Sequence, residues 1–205
     1  MKILAAGMNY ARHNKEAGCA LDYTEPIIFT KPDSALLRDG KPFFLPQAWG
    51  EISYEAEVVV HICRLGRHIA PRFARRYYDA ATVGIDFTAS ALQRRLRQSG
   101  APWELCKGFD GAAPIGRLVP LEQLGGDVQR LDFRLNVDGQ EAQRGNTQDM
   151  LTRVDDLIAY ASRFMTLKMG DLLFTGAPQA PGRAAIGQHL EGYLGEEKVL
   201  DFHIR

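Results

Sequence analysis

The sequence is poor in cysteine and has no long hydrophobic run. Its three cysteines, Cys19, Cys63 and Cys106, are widely spaced and form no CxxC pair, so we predict neither a zinc site nor a disulfide framework. No apolar run reaches the roughly 18 residues that a membrane-spanning helix requires. The N-terminal stretch MKILAAGMNY carries no clear secretory signal. We therefore expect a cytoplasmic protein with reduced thiols.

The sequence also lacks an excess of charge of either sign. Lysine and arginine together number 25, as do aspartate and glutamate, and the formal net charge is zero. This balance argues against a general role in binding nucleic acid or a membrane surface, although it does not exclude local charged patches. We expect neither nucleic acid nor a membrane as a partner.

The chain does contain enough apolar residues for a sizeable core. It has 205 residues, of which 45% are hydrophobic, and we expect one domain over residues 1–205. Strand-like runs outnumber helical ones and do not alternate regularly with them, which predicts a β-rich α+β fold. Asp138-Gly139 predicts a hairpin turn. The predicted strands are Lys2–Ala6, Ile27–Thr30, Ala56–Cys63, Thr82–Phe87, Leu131–Val137, Asp171–Thr175 and Lys198–Ile204, and the predicted helices are Tyr10–Ala17, Ala89–Ser99 and Thr147–Thr166.

Two glutamates stand where the valine-rich run ISYEAEVVV begins. Glu55 and Glu57 are two residues apart, so in a strand they project from the same face. Like charges this close repel each other and resist burial unless a cation offsets them. Hard divalent cations prefer carboxylate oxygen, and Asp86, at the end of the apolar run TVGID, is the best candidate for a third ligand. The alternative is that the glutamates are solvated and that Asp86 caps a helix.

A second polar constellation lies in GMNYARHNKE. His13 and Glu16 are three residues apart, which makes them neighbours on one helical face. A carboxylate beside an imidazole raises its basicity and fixes its tautomer, as a base that activates water requires. The alternative is an exposed polar helix face without a function.

Two later stretches place polar side chains among apolar ones. In PWELCKGFDGAAPIG, Lys107 could stabilise an oxyanion or enolate, or neutralise a substrate carboxylate; otherwise it is a surface lysine. In GDLLFTGAP an apolar strand runs into Thr175-Gly176, where a hydroxyl and the backbone could meet a ligand. By itself this last motif is weak.

Together, these stretches resemble the fumarylacetoacetate hydrolase family over essentially the whole chain. The matching segments, in order, are GMNYARHNKE, PIIFTKPDSAL, YEAEVVV, GIDFTA followed by LQ, PWELCKGFDGAAPIG and GDLLFTGAP. The resemblance implies a catalytic domain alone, folded as the mixed β-roll or sandwich of the family's C-terminal domain. It also implies a homodimer and a site for Mg²⁺ or Mn²⁺, which Ca²⁺ could occupy in a crystal.

The resemblance also implies roles for individual residues. Carried over by position, the metal ligands would be Glu55, Glu57 and Asp86, with Lys107 near the metal. His13 and Glu16 match a dyad on a mobile lid, and Gln93 and Thr175 match residues that line the substrate site.

The chain departs from the family pattern at two places that contact the substrate carboxylate. Ser90 and Ala91 stand where the family usually has Arg-Asp, and Ala177 stands where it has Thr or Ser. The departures remove charge-assisted donors, for which Arg94 or Arg12 could substitute.

The resemblance favours a metal-dependent enzyme acting on a 2-oxo or 2-hydroxy-dienoic acid. C–C hydrolysis of an acylpyruvate is the preferred reaction because the His13–Glu16 dyad is intact. The alternatives are isomerisation of 2-hydroxyhepta-2,4-diene-1,7-dioate, decarboxylation of an oxaloacetate-like substrate, and a catalytically silent protein that binds a metal or a carboxylate.

Overall fold

Short strands rich in β-branched residues make up most of the regular structure. The computed structural model describes residues 1–16 and 25–205, without the side chains of His13, Glu16 and Gln47. The helices of the described residues are α1 (Ala11–Glu16), α2 (Pro71–Ala74), α3 (Ser90–Ser99), α4 (Glu104–Lys107) and α5 (Val154–Phe164). None of these is both long and apolar enough to cross a bilayer.

The strands of the described residues are β1 (Ile3–Gly7), β2 (Ile27–Lys31), β3 (Leu36–Leu37), β4 (Ile52–Tyr54), β5 (Ala56–Ile62), β6 (Tyr78–Ile85), β7 (Thr88–Ala89), β8 (Ala113–Pro114), β9 (Val119–Pro120), β10 (Asp132–Val137), β11 (Gln140–Asn146), β12 (Leu172–Phe174), β13 (Gly182–Arg183), β14 (His189–Leu194) and β15 (Glu197–His203). A six-stranded sheet has the order β2-β1-β12-β5-β6-β9, and a four-stranded sheet has the order β11-β10-β14-β15. Only the β1–β12 pair in these two sheets is parallel. This mixed, strand-rich architecture confirms the α+β prediction.

The core lies between the two larger sheets. Val58, Val59 and Val60 of β5 are fully buried, as expected for a strand covered on both faces. Gly192 of β14 approaches β6 so closely that a Cβ atom there would lie 2.9 Å from a methyl carbon of Val83. Glycine at this position therefore lets the two sheets pack.

The hairpin prediction is confirmed, and one helix prediction is wrong in length. Asp138 (φ 51°) and Gly139 (φ 76°) both adopt the left-handed conformation that a two-residue turn requires. The segment Thr147–Thr166 is helical only from Val154, after a 3₁₀ turn at Thr147–Asp149. Asn9 explains the difference, because its backbone and side-chain oxygens accept the N–H groups of residues 151 and 152 and hold that stretch extended.

The strand pairing brings three chain segments to one end of the six-stranded sheet. β5 is antiparallel to β6, with Ala56 opposite Ile85, so the residue after β6 lies beside the start of β5. The Asp86 N–H donates to Glu55 O at 2.8 Å. β12 is also antiparallel to β5 and therefore ends at the same place, where Thr175 and Gly176 follow it.

Candidate functional site

A cavity of about 460 Å³ opens at this end of the sheet. Its wall includes the three carboxylates of Glu55, Glu57 and Asp86 together with Lys107. These residues come from the start of β5, the end of β6 and the end of α4, and Gln93 of α3 also lines the cavity. The structure thus brings together the residues that the sequence singled out as metal ligands, the lysine and one substrate contact.

Glu57 is more buried than Glu55, with only 2% of its surface exposed. One of its oxygens accepts the N–H of Gly176 at 2.7 Å. Burial, and then the negative charges of Asp86 and Glu55, raise the pKa of Glu57 well above its usual value. A cation among these groups would relieve that cost.

Asp86 pairs with two buried lysines. Its two oxygens lie 2.6 Å from Lys31 Nζ and 2.5 Å from Lys107 Nζ. Sequence reasoning missed Lys31, whose only signal was its place in the family-like segment IIFTK. It is fully buried and also donates to the backbone oxygens of Phe87, Lys107 and Ala112 at 2.6–3.1 Å. Burial lowers the pKa of Lys31, against the opposing effect of Asp86. We infer that Lys31 mainly fixes the loops that carry the other residues.

Lys107 is a buried cation that faces the carboxylates. Its Nζ donates to Asp86, to Thr88 Oγ1 at 2.7 Å and to Glu55 at 3.5 Å, and it lies 5.0 Å from the ring centroid of Phe29. Burial lowers its pKa, but the charges of Asp86 and Glu55 outweigh this effect, and the net pKa is raised above its usual value. Lys107 therefore stays protonated and acts as a hydrogen-bond donor rather than as a base.

The donor set fits a hard divalent cation. Three carboxylates supply oxygen ligands, and two of them are almost fully buried. If all three carboxylates and both lysines are ionised, their formal charges sum to one negative charge, so a dication does not add to an existing positive charge. Lysine nitrogens occupy Asp86 in the described structure, so closing the carboxylates on an ion would require side-chain rotation.

A different trio lies closer together on the surface. Among the described residues, His189, Glu191 and Asp201 are the set whose possible ligand atoms all lie within 4.8 Å of one another. Lys198 Nζ already lies 3.0 Å from Glu191 and 2.6 Å from Asp201. The lysine supplies the positive charge there, and we assign no metal to this trio.

The remaining predicted site residues have different outcomes. Thr175 is fully buried, and its hydroxyl donates to Val58 O at 2.7 Å. The hydroxyl hydrogen therefore bonds to the backbone of β5 and does not point to a ligand in the cavity. The side chains of His13 and Glu16 lie outside the described part of the chain, although their backbone belongs to α1. The proposed lid also lies partly outside it, because residues 17–24 are not described.

Helix α3 carries two arginines close to the position of the missing family arginine. Ser90 lies at the cavity, where its hydroxyl donates to Ser53 Oγ at 2.7 Å. Arg94 and Arg97 follow it by four and seven residues, so the three share one helical face, and both arginines line the cavity. The guanidinium group of Arg94 also pairs with Glu51 at 3.3 Å. Arg94 was a sequence candidate, whereas Arg97 was missed. Arg12, the other candidate, lies exposed on α1.

Asn9 and Met8 form the turn that closes one side of the site. Met8 has φ 60°, a left-handed conformation that is uncommon for methionine, and it lines the cavity. Asn9 donates to Thr175 O at 2.9 Å and to Thr152 O at 3.0 Å. The left-handed residue is the methionine and not the glycine that precedes it. Backbone strain here is held by tertiary hydrogen bonds, which sequence spacing does not reveal.

Comparison with known proteins places this geometry in context. The chain matches the family described as fumarylacetoacetate (FAA) hydrolase C-terminal over residues 2–204. It is 35% identical to the oxaloacetate tautomerase YcgM of Escherichia coli over 189 residues, covering 92% of this chain and 86% of that protein. It is 38% identical to the mitochondrial oxaloacetate tautomerase FAHD1 of Arabidopsis thaliana over 199 residues, covering 97% and 88%.

Solved structures show the same similarity. The fumarylpyruvate hydrolase of Pseudomonas aeruginosa, in complex with Mn²⁺ and pyruvate, superposes with a TM-score of 0.92 at 33% identity. The match covers 100% of this chain and 89% of that one. The carboxylate-lined cavity therefore lies in a fold that, in this neighbour, holds a divalent metal.

Proposed function

The chain belongs to the fumarylacetoacetate hydrolase family of enzymes, and we propose that it is a divalent-metal-dependent enzyme that enolises a 2-oxo acid. The observation that carries this proposal is the position of Lys107. Its ammonium lies 2.5 Å from Asp86 and 3.5 Å from Glu55, on the wall of the cavity. A fixed positive charge beside three carboxylates suits a reaction in which negative charge develops on oxygen.

Glu55, Glu57 and Asp86 would hold the cation. The Mn²⁺ in the Pseudomonas aeruginosa structure supports a divalent metal, and we propose Mn²⁺ or Mg²⁺. The chemistry such an ion supplies is Lewis-acid polarisation of a substrate carbonyl. The backbone N–H of Gly176 orients Glu57, and Lys31 orients Asp86.

Lys107 would donate a hydrogen bond to the enolate oxygen. In the metal-free protein the charges of Asp86 and Glu55 raise its pKa, which suits a role as a charged donor that stabilises the developing charge rather than as the base. Tautomerisation, decarboxylation and C–C cleavage of 2-oxo acids all form an enolate, the first by loss of a proton from carbon and the other two by breaking a C–C bond. The same site can therefore serve several reactions, and the substrate's tail and the available base select among them.

The two arginines of α3 favour a substrate with a second carboxylate. Arg94 and Arg97 line the cavity, whereas the carboxylates lie near Lys107. A dicarboxylic 2-oxo acid would place one carboxylate at the cation and the other at these guanidinium groups. Oxaloacetate has this form, and two relatives at 35% and 38% identity are named oxaloacetate tautomerases. Keto–enol conversion of oxaloacetate is our first candidate reaction.

C–C hydrolysis of an acylpyruvate is the second candidate. It is favoured by the His13–Glu16 spacing and by the similarity to a fumarylpyruvate hydrolase. Hydrolysis needs a base to activate water, and His13 is the candidate for that base. Tautomerisation requires no such water.

An assay with paired substrates tests these proposals. Purified protein with Mn²⁺ should convert enol-oxaloacetate to the keto form faster than Mn²⁺ alone. Lys107→Met should reduce this rate about 10²- to 10³-fold, because it removes a preorganised donor, whereas the exposed Lys41→Met should not. A rate equal to that of the metal-only control on every 2-oxo acid would instead support a silent binding protein.

Release of pyruvate from fumarylpyruvate distinguishes the second candidate. If the protein hydrolyses it, His13→Ala should lower kcat about 10²- to 10⁴-fold and change KM little. The same variant should keep most of its oxaloacetate tautomerase activity. Equal loss of both activities would contradict the separation of roles.

A further inference from the structure

A strongly cationic surface lies at the end of the six-stranded sheet opposite the cavity. The connection from β5 to β6 (residues 63–77) contains five arginines, all exposed: Arg64, Arg67, Arg72, Arg75 and Arg76. In a chain with a formal net charge of zero, this is a marked local excess of positive charge.

Three of these arginines lie close to the faces of aromatic rings. Arg72 and Arg76 lie 4.8 and 5.0 Å from the centroid of Phe73, and Arg75 lies 5.0 Å from that of Tyr78. Within the described part of the chain, none of the five forms an ion pair. Three carboxylates lie close by: Asp79 pairs with His61, Asp155 accepts the hydroxyl of Tyr78 and keeps its charge, and Asp127 also acts on Tyr78. The five arginines outnumber these carboxylates, so a net positive charge remains available to a partner.

The segment that follows α5 extends the same surface. Gly66 and Leu167 form an antiparallel bridge, which places Lys168 beside Leu65. The His68 N–H donates to Ser162 O at 2.9 Å, which brings the end of α5 to the same face. We define the cationic surface by its seven cations: Arg64, Arg67, Arg72, Arg75, Arg76, Arg163 and Lys168.

Large apolar side chains stand among these cations. Leu65 is 63% exposed and Met169 is 72% exposed, and Phe73 is 39% exposed between its two arginines. Exposed clusters of large apolar residues mark interaction sites. Aliphatic Leu65 and Met169 gain nothing from contact with phosphates, but they gain by entering the acyl region of a bilayer.

We propose that the cationic surface docks on an anionic phospholipid bilayer. The cations would lie at the lipid phosphates, while the apolar side chains would enter the interface between headgroups and acyl chains. This proposal revises the expectation, drawn from the overall charge balance, that no membrane is involved. The cavity would stay open, because the seven residues of β5 separate it from this surface by about 20 Å.

Flotation with lipid vesicles tests the proposal. The wild-type protein should float with vesicles of phosphatidylcholine and phosphatidylglycerol, but not with phosphatidylcholine alone, and binding should fall as salt is raised. Arg72→Glu with Arg76→Glu should lower the partition coefficient about 30-fold or more, given the usual contribution of each cation near an anionic surface.

Two matched variants isolate the cause. Arg117→Glu with Arg144→Glu changes the net charge equally, but these arginines pair with Glu197 and Glu141 elsewhere on the surface, so binding should persist. Leu65→Ser with Met169→Ser keeps the charge and should weaken vesicle binding at least several-fold. All these side chains are exposed, and thermal melts of each variant confirm folding. If a charge-reversed variant fails to fold, Arg72→Gln with Arg76→Gln replaces it.

Three outcomes would overturn the proposal. The first is that the wild-type protein does not float with anionic vesicles. The second is that the variant with Arg72→Glu and Arg76→Glu floats as well as the control variant with Arg117→Glu and Arg144→Glu. The third is that Leu65→Ser with Met169→Ser floats like the wild type while a single-stranded oligonucleotide displaces the protein from vesicles, which would identify a nucleic-acid surface instead.

Discussion

At the scale of single residues, Glu57 links burial to the chemistry of the cavity. Its raised pKa means that the native state holds a proton on this carboxyl more tightly than the unfolded chain does. A cation can bind only after that proton leaves. Protons and metal therefore compete at Glu57.

This competition predicts a pH dependence of stability. Without metal, the free energy of unfolding should fall as pH rises from the usual carboxylate range through the raised pKa of Glu57, because the native state loses a proton there that the unfolded chain has already lost. Over the same window, the increase in Tm caused by Mn²⁺ should grow. Thermal melts with chelator and with Mn²⁺ at several pH values measure both trends.

Variants at two glutamates isolate this effect. Glu57→Gln should flatten the metal-free trend and remove most of the Mn²⁺-induced increase in Tm. Glu122→Gln, an exposed change outside the cavity, should alter neither. An unchanged Mn²⁺ effect in Glu57→Gln would show that Glu57 is not a ligand.

The arginines of α3 carry a prediction about substrate choice. Arg97→Gln should raise KM for a dicarboxylic substrate about tenfold or more, because it removes a charge-assisted hydrogen bond to the second carboxylate. It should barely affect inhibition by a 2-oxo acid with a single carboxylate, such as pyruvate. Arg95→Gln, an exposed change on the same helix that does not line the cavity, is the control. Equal effects of the two changes on KM would exclude a specific contact at Arg97.

At the scale of elements, the turn after β12 carries the clearest structural requirement. Gly176 has φ 99°, and a Cβ atom there would lie 2.7 Å from Asn9 Cβ and 3.2 Å from Ala6 O. Its N–H is the donor that fixes Glu57. Only glycine meets both conditions, since both contacts are with atoms held by the sheet and by the Asn9 turn.

Gly176→Ala should therefore weaken both stability and metal binding. Gly170→Ala is a matched control, because Gly170 has a similar φ of 87° but open space around it. Both changes should lower the free energy of unfolding by about 1 kcal/mol, because alanine is strained in the left-handed conformation. The steric clash of the added Cβ atom lowers it further only at Gly176. Calorimetric titration with Mn²⁺ should show weaker binding for Gly176→Ala alone. Unaltered affinity in that variant would contradict the role of the turn.

Individual elements show what the sequence could and could not predict. The runs of valine and isoleucine predicted β5 within one residue, and Asp-Gly predicted the β10–β11 turn, because both signals are local. Strand β14 was missed, since Gly192 leaves one of its buried positions without an apolar side chain and its place depends on packing against Val83. Arg97 was missed because the family pattern directed attention to residue 90.

Lys31 shows what the local sequence could not predict about the site. A lysine after IIFT looks like a solvent-exposed strand end, and nothing in the local sequence indicates four buried oxygen partners. Those partners come from segments 55 to 81 residues away. Long-range pairing of this kind follows from the sheet order, which one sequence does not reveal.

At the scale of the whole molecule, the strands separate two surfaces. The start of β5 and the ends of β6 and β12 build the cavity, while the opposite ends of the same strands carry the cationic surface. Exposed apolar residues also form a second group, away from the cationic surface. Apart from those on the cationic surface, Phe44 (70% exposed) and Trp49 (42% exposed) lie together around a separate cavity of about 490 Å³.

The last prediction concerns assembly. We propose a homodimer, as the family resemblance implies, with Phe44 and Trp49 in the contact between the two copies. Exposed aromatic residues of this size are costly in water and typical of protein interfaces. Sedimentation velocity at micromolar concentration should give one species of about twice the 22.8 kDa of the chain. Phe44→Ser should increase the monomer fraction, whereas Ile186→Ser, at a 55% exposed position elsewhere, should not. A single species of monomer mass for the wild-type protein would refute the dimer, and a dimer unaffected by Phe44→Ser would place the contact on another face.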